Sequence, residues 1–179
     1  MKADSVADEF LVETILHYNG TAWSAVASPT WAELFGIWCY SATNVWAVGE
    51  DGAIVHWDGS SWQAVPSGTP ERLLAIYGLN STDIWVAGGL GLLRHYDGIK
   101  WSTIPTSGGT GDLLAVWGAD ASRVWIAGEG GRLLFWDGTR VIDKTLQTSS
   151  TNTLHALRGF DLRNFWAAGD DGTLLQYAP

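Results

Sequence analysis

Four variants of one phrase, VWAVGEDG, IWVAGGLG, VWIAGEGG and FWAAGDDG, run through this chain with their tryptophans at Trp46, Trp85, Trp125 and Trp166. The intervals between those tryptophans are 39, 40 and 41 residues. A unit repeated at about 40–45 residues cannot bury its own apolar surface and must stack against its copies, so the repeat constrains the fold before any other feature does.

Residues 35–69 serve as the reference unit, and they divide into short runs: FGIWCY, NVWAVG, AIVHW and SWQAV. Each is rich in β-branched and aromatic residues and bounded by turn formers, which is the pattern of strands. None has the length or period of an amphipathic helix. Between the second and third runs a glycine recurs, as Gly52, Gly91, Gly131 and Gly172, where a tight turn calls for positive φ. Between the third and fourth runs stand Asp58-Gly59, Asp97-Gly98 and Asp137-Gly138, with Asn19-Gly20 near the start, and these dipeptides are strong hairpin signals. Sequential hairpins make each unit a four-stranded antiparallel meander. In the third run, Leu133 and Phe135 point to one side and Leu134 and Trp136 to the other, so the sheet is apolar on both faces. Such a sheet has to be sandwiched between neighbours, as blades are in a β-propeller. The expected fold class is therefore all-β: a β-propeller of four-stranded antiparallel blades with four blade-equivalents per chain.

The runs are unequal in number. First-type runs occur at Ile37, Ile76, Val116 and Leu157, and fourth-type runs at Trp23, Trp62, Trp101 and, in degenerate form, Val141. Third-type runs number five: ILHYNG, IVHWDG, LRHYDG, LFWDG and LLQYAP. The chain thus enters inside one repeat and leaves inside another. The N-terminal segment around Trp23 is expected to complete the last blade and hide a sheet edge. One third-type strand, 13–18 or 173–177, is then spare. A ring closed within one chain is the favoured arrangement, with a homodimer through the spare strand as the competitor. Residues 1–12 are read as an extension and 13–179 as a single domain.

Composition narrows the function classes. The chain of 179 residues carries a net charge of −9 with no Lys/Arg stripe, which argues against nucleic acid. No apolar run reaches the roughly 18 residues of a membrane span. The single cysteine, Cys39, excludes an intrachain disulfide and a cysteine-based zinc cage. The first ten residues have no apolar stretch of the signal-peptide kind.

The consensus LxAVWG…DVWAVGxxGxIxHYDGxxW…VPSGT resembles tandem repeats of secreted and surface proteins of myxobacteria and related bacteria. It is also similar to the propeller repeats of the photosystem II assembly-factor family and, distantly, to BNR/Asp-box repeats. The resemblance rests on the four phrase tryptophans and their glycines, with Asp58/Trp62 and Asp97/Trp101. It implies a propeller and, through those relatives, an extracellular or cell-surface setting. Propellers host many activities, so function has to be argued from a site. The repeats depart from their own pattern at Arg140 and Val141, and at Cys39, where the other copies have Gly78, Gly118 and Gly159.

Candidate functional residues fall into three groups. His17, His56 and His95 share one repeat position, also occupied by Phe135 and Gln176, and copies on separate blades do not converge; they read as packed, hydrogen-bonded strand histidines. His155 has no recognisable nucleophile to pair with. Glu50, Asp51, Glu129, Asp170 and Asp171 fall on equivalent turns of one rim, where carboxylates hold calcium if they converge and keep the surface solvated if they do not. Trp38, Tyr77 and Trp117 recur in the first run, with Arg158 at the fourth copy, and are the candidate ligand-binding set, assisted by the polar loops PSGTPER and PTSGGTGD. No catalytic constellation is present, so no cofactor and no enzyme activity are expected. The expected function is a non-enzymatic, lectin-like or protein-binding propeller recognising carbohydrate or protein through loops on one face. The alternative is a structural, self-assembling repeat unit.

Overall fold

The computed structural model describes residues 14–107, 109–161 and 164–177, and the extension expected over 1–12 lies outside them. A two-stranded hairpin comes first, β1 (Thr14–Tyr18) and β2 (Trp23–Ala27). The first blade is β3 (Leu34–Ser41), β4 (Asn44–Gly49), β5 (Ile54–Trp57) and β6 (Trp62–Ala64). The second is β7 (Leu73–Asn80), β8 (Asp83–Gly88), β9 (Leu93–Tyr96) and β10 (Trp101–Thr103). The third is β11 (Leu113–Asp120), β12 (Arg123–Gly128), β13 (Leu133–Trp136) and β14 (Val141–Asp143). The fourth has three strands, β15 (Leu154–Asp161), β16 (Asn164–Gly169) and β17 (Leu174–Tyr177). All pairings are antiparallel between sequence neighbours, as the hairpin dipeptides require.

The turn chemistry explains the fixed phrase. At each second-to-third turn the chain passes through two left-handed residues, Asp51 and Gly52 (φ 52° and 69°), Leu90 and Gly91 (54° and 75°), or Gly130 and Gly131 (67° and 70°). The preceding glycine answers to a different constraint. A Cβ on Gly49 would fall inside the carbonyl oxygen of Glu33, the same oxygen that accepts the Glu50 N–H at 2.9 Å. That close approach locks the end of one strand pair to the start of the inner strand.

Successive blades stack through three apolar clusters, one per joint. Trp46, Val48 and Ile54 on the forward face of the first blade meet Ile76, Ile84 and Val86 on the second. Trp85, Ala87 and Leu93 meet Val116, Val124 and Ile126. Trp125, Ala127 and Leu133 meet Leu157, Phe165 and Ala167. The second and third sheets are thus apolar on both faces because each is sandwiched between two neighbours. Full burial of one such side chain stabilises the joint by about 1.5–3 kcal/mol.

The ends differ from the expectation. β17 pairs only with β16 and β1 only with β2 among the described strands, so the N-terminal segment does not pair with the last blade. Instead, the hairpin lies on the outer part of the first blade, where His17 stacks on Trp57 at 6.4 Å. Ile15, Leu16 and Val26 there share an apolar cavity of about 370 Å³ with Ile37, Cys39, Val45 and Trp62. β1 already has an antiparallel partner in β2, which satisfies one of its edges locally at little loop-closure cost.

Candidate functional site

The inner strands β3, β7, β11 and β15 all border one axial opening of about 270 Å³, lined among others by Ile37, Ile76, Val116, Leu157 and Arg158. Antiparallel order then sorts the connections onto two ends. Turns joining the first and second strands share one end with the Asp-Gly hairpins, as shown by Gly59 against Thr43 and Gly98 against Thr82. At the other end lie the acidic turns and the long loops, with the Arg132 guanidinium donating to Gly111 O at 2.9 Å and Ser107 O at 2.6 Å.

That sorting separates features that the sequence suggested would cooperate. Tyr77 and Trp117 come together in a cleft of about 380 Å³ at the hairpin end, with Asp120, Arg123, Phe160 and Asp161 at its edge. The loops PSGTPER and PTSGGTGD sit at the opposite end, so they do not assist these aromatics. Trp38 is in the first blade and is not part of the cleft. Its ring covers Gly78, and the Trp117 ring covers Gly159, where a Cβ would stand 2.7 Å from Cη2. These rings are therefore interlocked with the next blade, and glycine recurs opposite them because nothing larger fits. Trp117 is buried, Trp38 and Tyr77 are half-buried, and Arg158 is exposed. Burial raises the Tyr77 hydroxyl pKa above its ordinary value, and the nearby Arg158 charge opposes that shift.

At the cleft edge Arg123 is bound to Asp120 through Nε at 2.7 Å and through a terminal nitrogen, and Asp120 also accepts the Ser122 N–H at 3.0 Å. The arginine bond holds the Asp120 carboxyl down to about 2. Phe160, near the end of β15, is 95% exposed. The arrangement offers an apolar, aromatic floor flanked by a fixed cation and fixed carboxylates.

The acidic rim is not gathered into a cation site. Among the described residues no three His, Cys, Asp or Glu side chains converge. Glu50 and Asp51 belong to the first blade, Glu129 to the third, and Asp170 and Asp171 to the fourth. Glu129 accepts the Asp112 N–H at 3.0 Å, and Asp170 is bound to His155 Nε2 at 2.6 Å, which lowers its pKa. Asp51 and Asp171 occupy left-handed positions (φ 52° in both) that aspartate tolerates better than most residues, which gives their presence a backbone reason.

The strand histidines behave as expected for two blades and reveal a motif that the repeat consensus did not announce. Asn44 Oδ1 accepts from the Trp46 indole at 2.7 Å and bonds His56 Nε2 at 3.0 Å, while His56 stacks on Trp46 at 4.2 Å. Asp83 does the same for Trp85 and His95, both at 2.9 Å. In the third blade Arg123 replaces the acceptor and Phe135 replaces the histidine. The pairing was legible only as residues two and twelve apart; strand register brings them together.

Stacked four-stranded blades around a common axial opening define a β-propeller. Comparison with solved structures agrees. YCF48 from Cyanidioschyzon merolae matches with a TM-score of 0.72 at 22% identity, over 89% of this chain and 58% of that one. The computationally designed Ika4 protein matches with a TM-score of 0.65 at 17% identity, over 84% of this chain and 94% of that one. A structure of YCF48 bound to D1 peptide matches with a TM-score of 0.54 at 17% identity, over 93% and 71% of the two chains. The chain thus spans little more than half the length of the first of these propellers. No protein-family model and no curated sequence matches it.

Proposed function

We propose that this chain is a non-enzymatic binding propeller whose ligand is a segment of another protein, held in the Tyr77–Trp117–Phe160 cleft. The observation that carries the reading is the composition of that cleft: a floor of half-buried Tyr77 and buried Trp117, a 95% exposed Phe160 at its mouth and the fixed Arg123–Asp120 pair beside it. An exposed aromatic beside a cleft with ordered charges suits an apolar anchor residue followed by an acidic one. Arg123 has five N–H donors, and its bonds to Asp120 leave others for such a carboxylate. A propeller of the same fold solved with D1 peptide bound supports a protein segment as the class of ligand.

Carbohydrate, the other ligand class expected from the sequence, has less support because the Trp38 and Trp117 rings lie against the glycines of the next blade rather than open to a sugar. The self-assembly alternative has separate support in the two open ends of the arc and does not compete for the cleft.

A peptide array probed with the purified chain tests the proposal. Peptides with a bulky apolar residue next to an acidic one should bind, and Phe160→Ala and Arg123→Ala should each weaken binding about tenfold without lowering the melting temperature. Binding indifferent to both substitutions, or a blank peptide array beside a positive glycan array, would remove the cleft reading.

A further inference from the structure

The two ends of the arc are unfinished in complementary ways. At the three internal joints the phrase tryptophan is covered by the next blade: Trp46, Trp85 and Trp125 are 5%, 1% and 4% exposed, whereas Trp166 is 40% exposed. Ala156, Arg158, Ala168, Leu174 and Gln176 lie open on that same forward face. The opposite face of the first blade is equally uncovered near the axis. Ile37 is 65% exposed, while its equivalents Ile76, Val116 and Leu157 are buried. A forward face and a receiving face, each of the kind that pack together three times inside the chain, are thus left facing solvent.

Two departures from the repeat fit each other across this gap. Inside the chain, Trp38 and Trp117 each lie on a glycine of the following blade, Gly78 and Gly159. The residue of the last blade at the tryptophan position is Arg158, and the residue of the first blade at the glycine position is Cys39. A flexible arginine does not demand the bare backbone that an indole does, so the two odd residues match as partners.

The histidine brace gives a second, independent match. The acceptor and the histidine occur together (Asn44 with His56, Asp83 with His95) or are replaced together (Arg123 with Phe135). The last blade has the acceptor, Asn164, beside Trp166, but its third strand offers Gln176 opposite that tryptophan. His17 on β1 is the unmatched histidine; among the described residues its ring makes no hydrogen bond. β1 and β2 are third- and fourth-type strands lying on the outer part of the first blade, and among the described residues no first- or second-type strand pairs beside them.

We infer that the strands that pair beside β1 are those of the last blade of a second copy of this chain. Deepening the assembly reading, the inference is of a head-to-tail pair in which β15 and β16 of one copy join β1 and β2 of the other to make a composite blade. The partner's β1 takes the place of β17 beside β16, so β17, whose Tyr177 stacks on Phe165 at 4.9 Å, leaves that sheet as one antiparallel strand is exchanged for another. Asn164 and Trp166 then meet the partner's His17, and Arg158 meets the partner's Cys39. A two-fold axis makes two such seams and closes the ring. Closure within one chain is not what the described strands form, since β17 pairs only with β16 and β1 only with β2.

The test uses the full chain with Arg158→Cys and its native Cys39, both exposed positions, treated with a short bismaleimide; Arg158→Cys with Cys39→Ala is the control. The expected result is a light-scattering mass of two 19.4 kDa chains and a covalent dimer that forms only when both thiols are present. His17→Ala should weaken the pair about tenfold per seam by removing the brace. A monomer with an intrachain cross-link, or a monomer with none, overturns the second copy. A dimer that does not cross-link at this pair overturns the seam while leaving assembly through another surface standing.

Discussion

Removal of the Asp83 carboxylate is the most direct probe of how the blades are braced. Asp83 Oδ1 accepts the indole N–H of Trp85 and bonds His95, each at 2.9 Å, and Trp85 is 1% exposed. Asp83→Ala deletes both bonds and leaves a buried indole N–H without a partner. An unsatisfied buried donor costs about 1–3 kcal/mol, and the lost histidine bond adds about 1 kcal/mol, giving about 2–4 kcal/mol in total. Asp83→Asn retains a carbonyl oxygen at the same place and reproduces the natural arrangement of Asn44, so its cost should stay below about 1 kcal/mol. Urea unfolding followed by tryptophan fluorescence reads both variants. With slopes of about 1–3 kcal/mol/M, the alanine variant should unfold at a midpoint about 1 M or more lower with unchanged slope. If alanine and asparagine destabilise equally, the brace is not what holds Trp85 and the reasoning fails.

Further expectations follow from geometry and charge. Gly128→Ala places a Cβ against the backbone carbonyl of Asp112 and should cost more than about 3 kcal/mol, whereas Gly172→Ala, with open space but φ of 70°, should cost only about 1 kcal/mol; paired chemical denaturation separates the two. Asp58 and Asp137 have pKa values lowered to about 2, through Ser60 and Thr139 hydroxyls and the backbone N–H groups of their hairpins. Because the folded values lie below the unfolded one near 3.8, their stabilisation is complete only above about pH 5 and is lost as the pH falls toward 2. Thermal melts of Asp58→Asn should therefore converge with wild type only below about pH 2. Burial lowers the His56 pKa, so that side of the linkage runs the same way: its contribution is full above 6.5 and declines as the pH drops below it. Histidine NMR should show His56 titrating below the free-histidine value; a midpoint at or above 6.5 would contradict its half-buried, stacked position.

Much of the fold was legible because its determinants are local. Hairpin dipeptides, left-handed glycines and two-sided apolar strands act within a few residues, and a repeat presents each of them several times. The site was less legible. Trp38, Tyr77 and Trp117 share a repeat position, yet only Tyr77 and Trp117 border one cleft, while the Trp38 ring lies against Gly78 of the second blade. Phe160 and Arg123 belong to the same cleft and carried no repeat signal, since each is a departure from the consensus rather than part of it. The acidic turns share a rim but not a site, since among the described residues no three ligating side chains converge.

By itself the sequence determined the strand order, the turn conformations and the need for each sheet to be covered on both faces. Those follow from backbone sterics and from apolar patterning with a period of two, which any neighbour of the right kind satisfies. Tertiary structure decided which neighbour. It set Trp117 on Gly159, Asn44 between Trp46 and His56, and the hairpin on the first blade rather than beside β17. Packing between sheets depends on side chains about 40 residues apart meeting at van der Waals distance, and no local rule in the chain specifies that meeting.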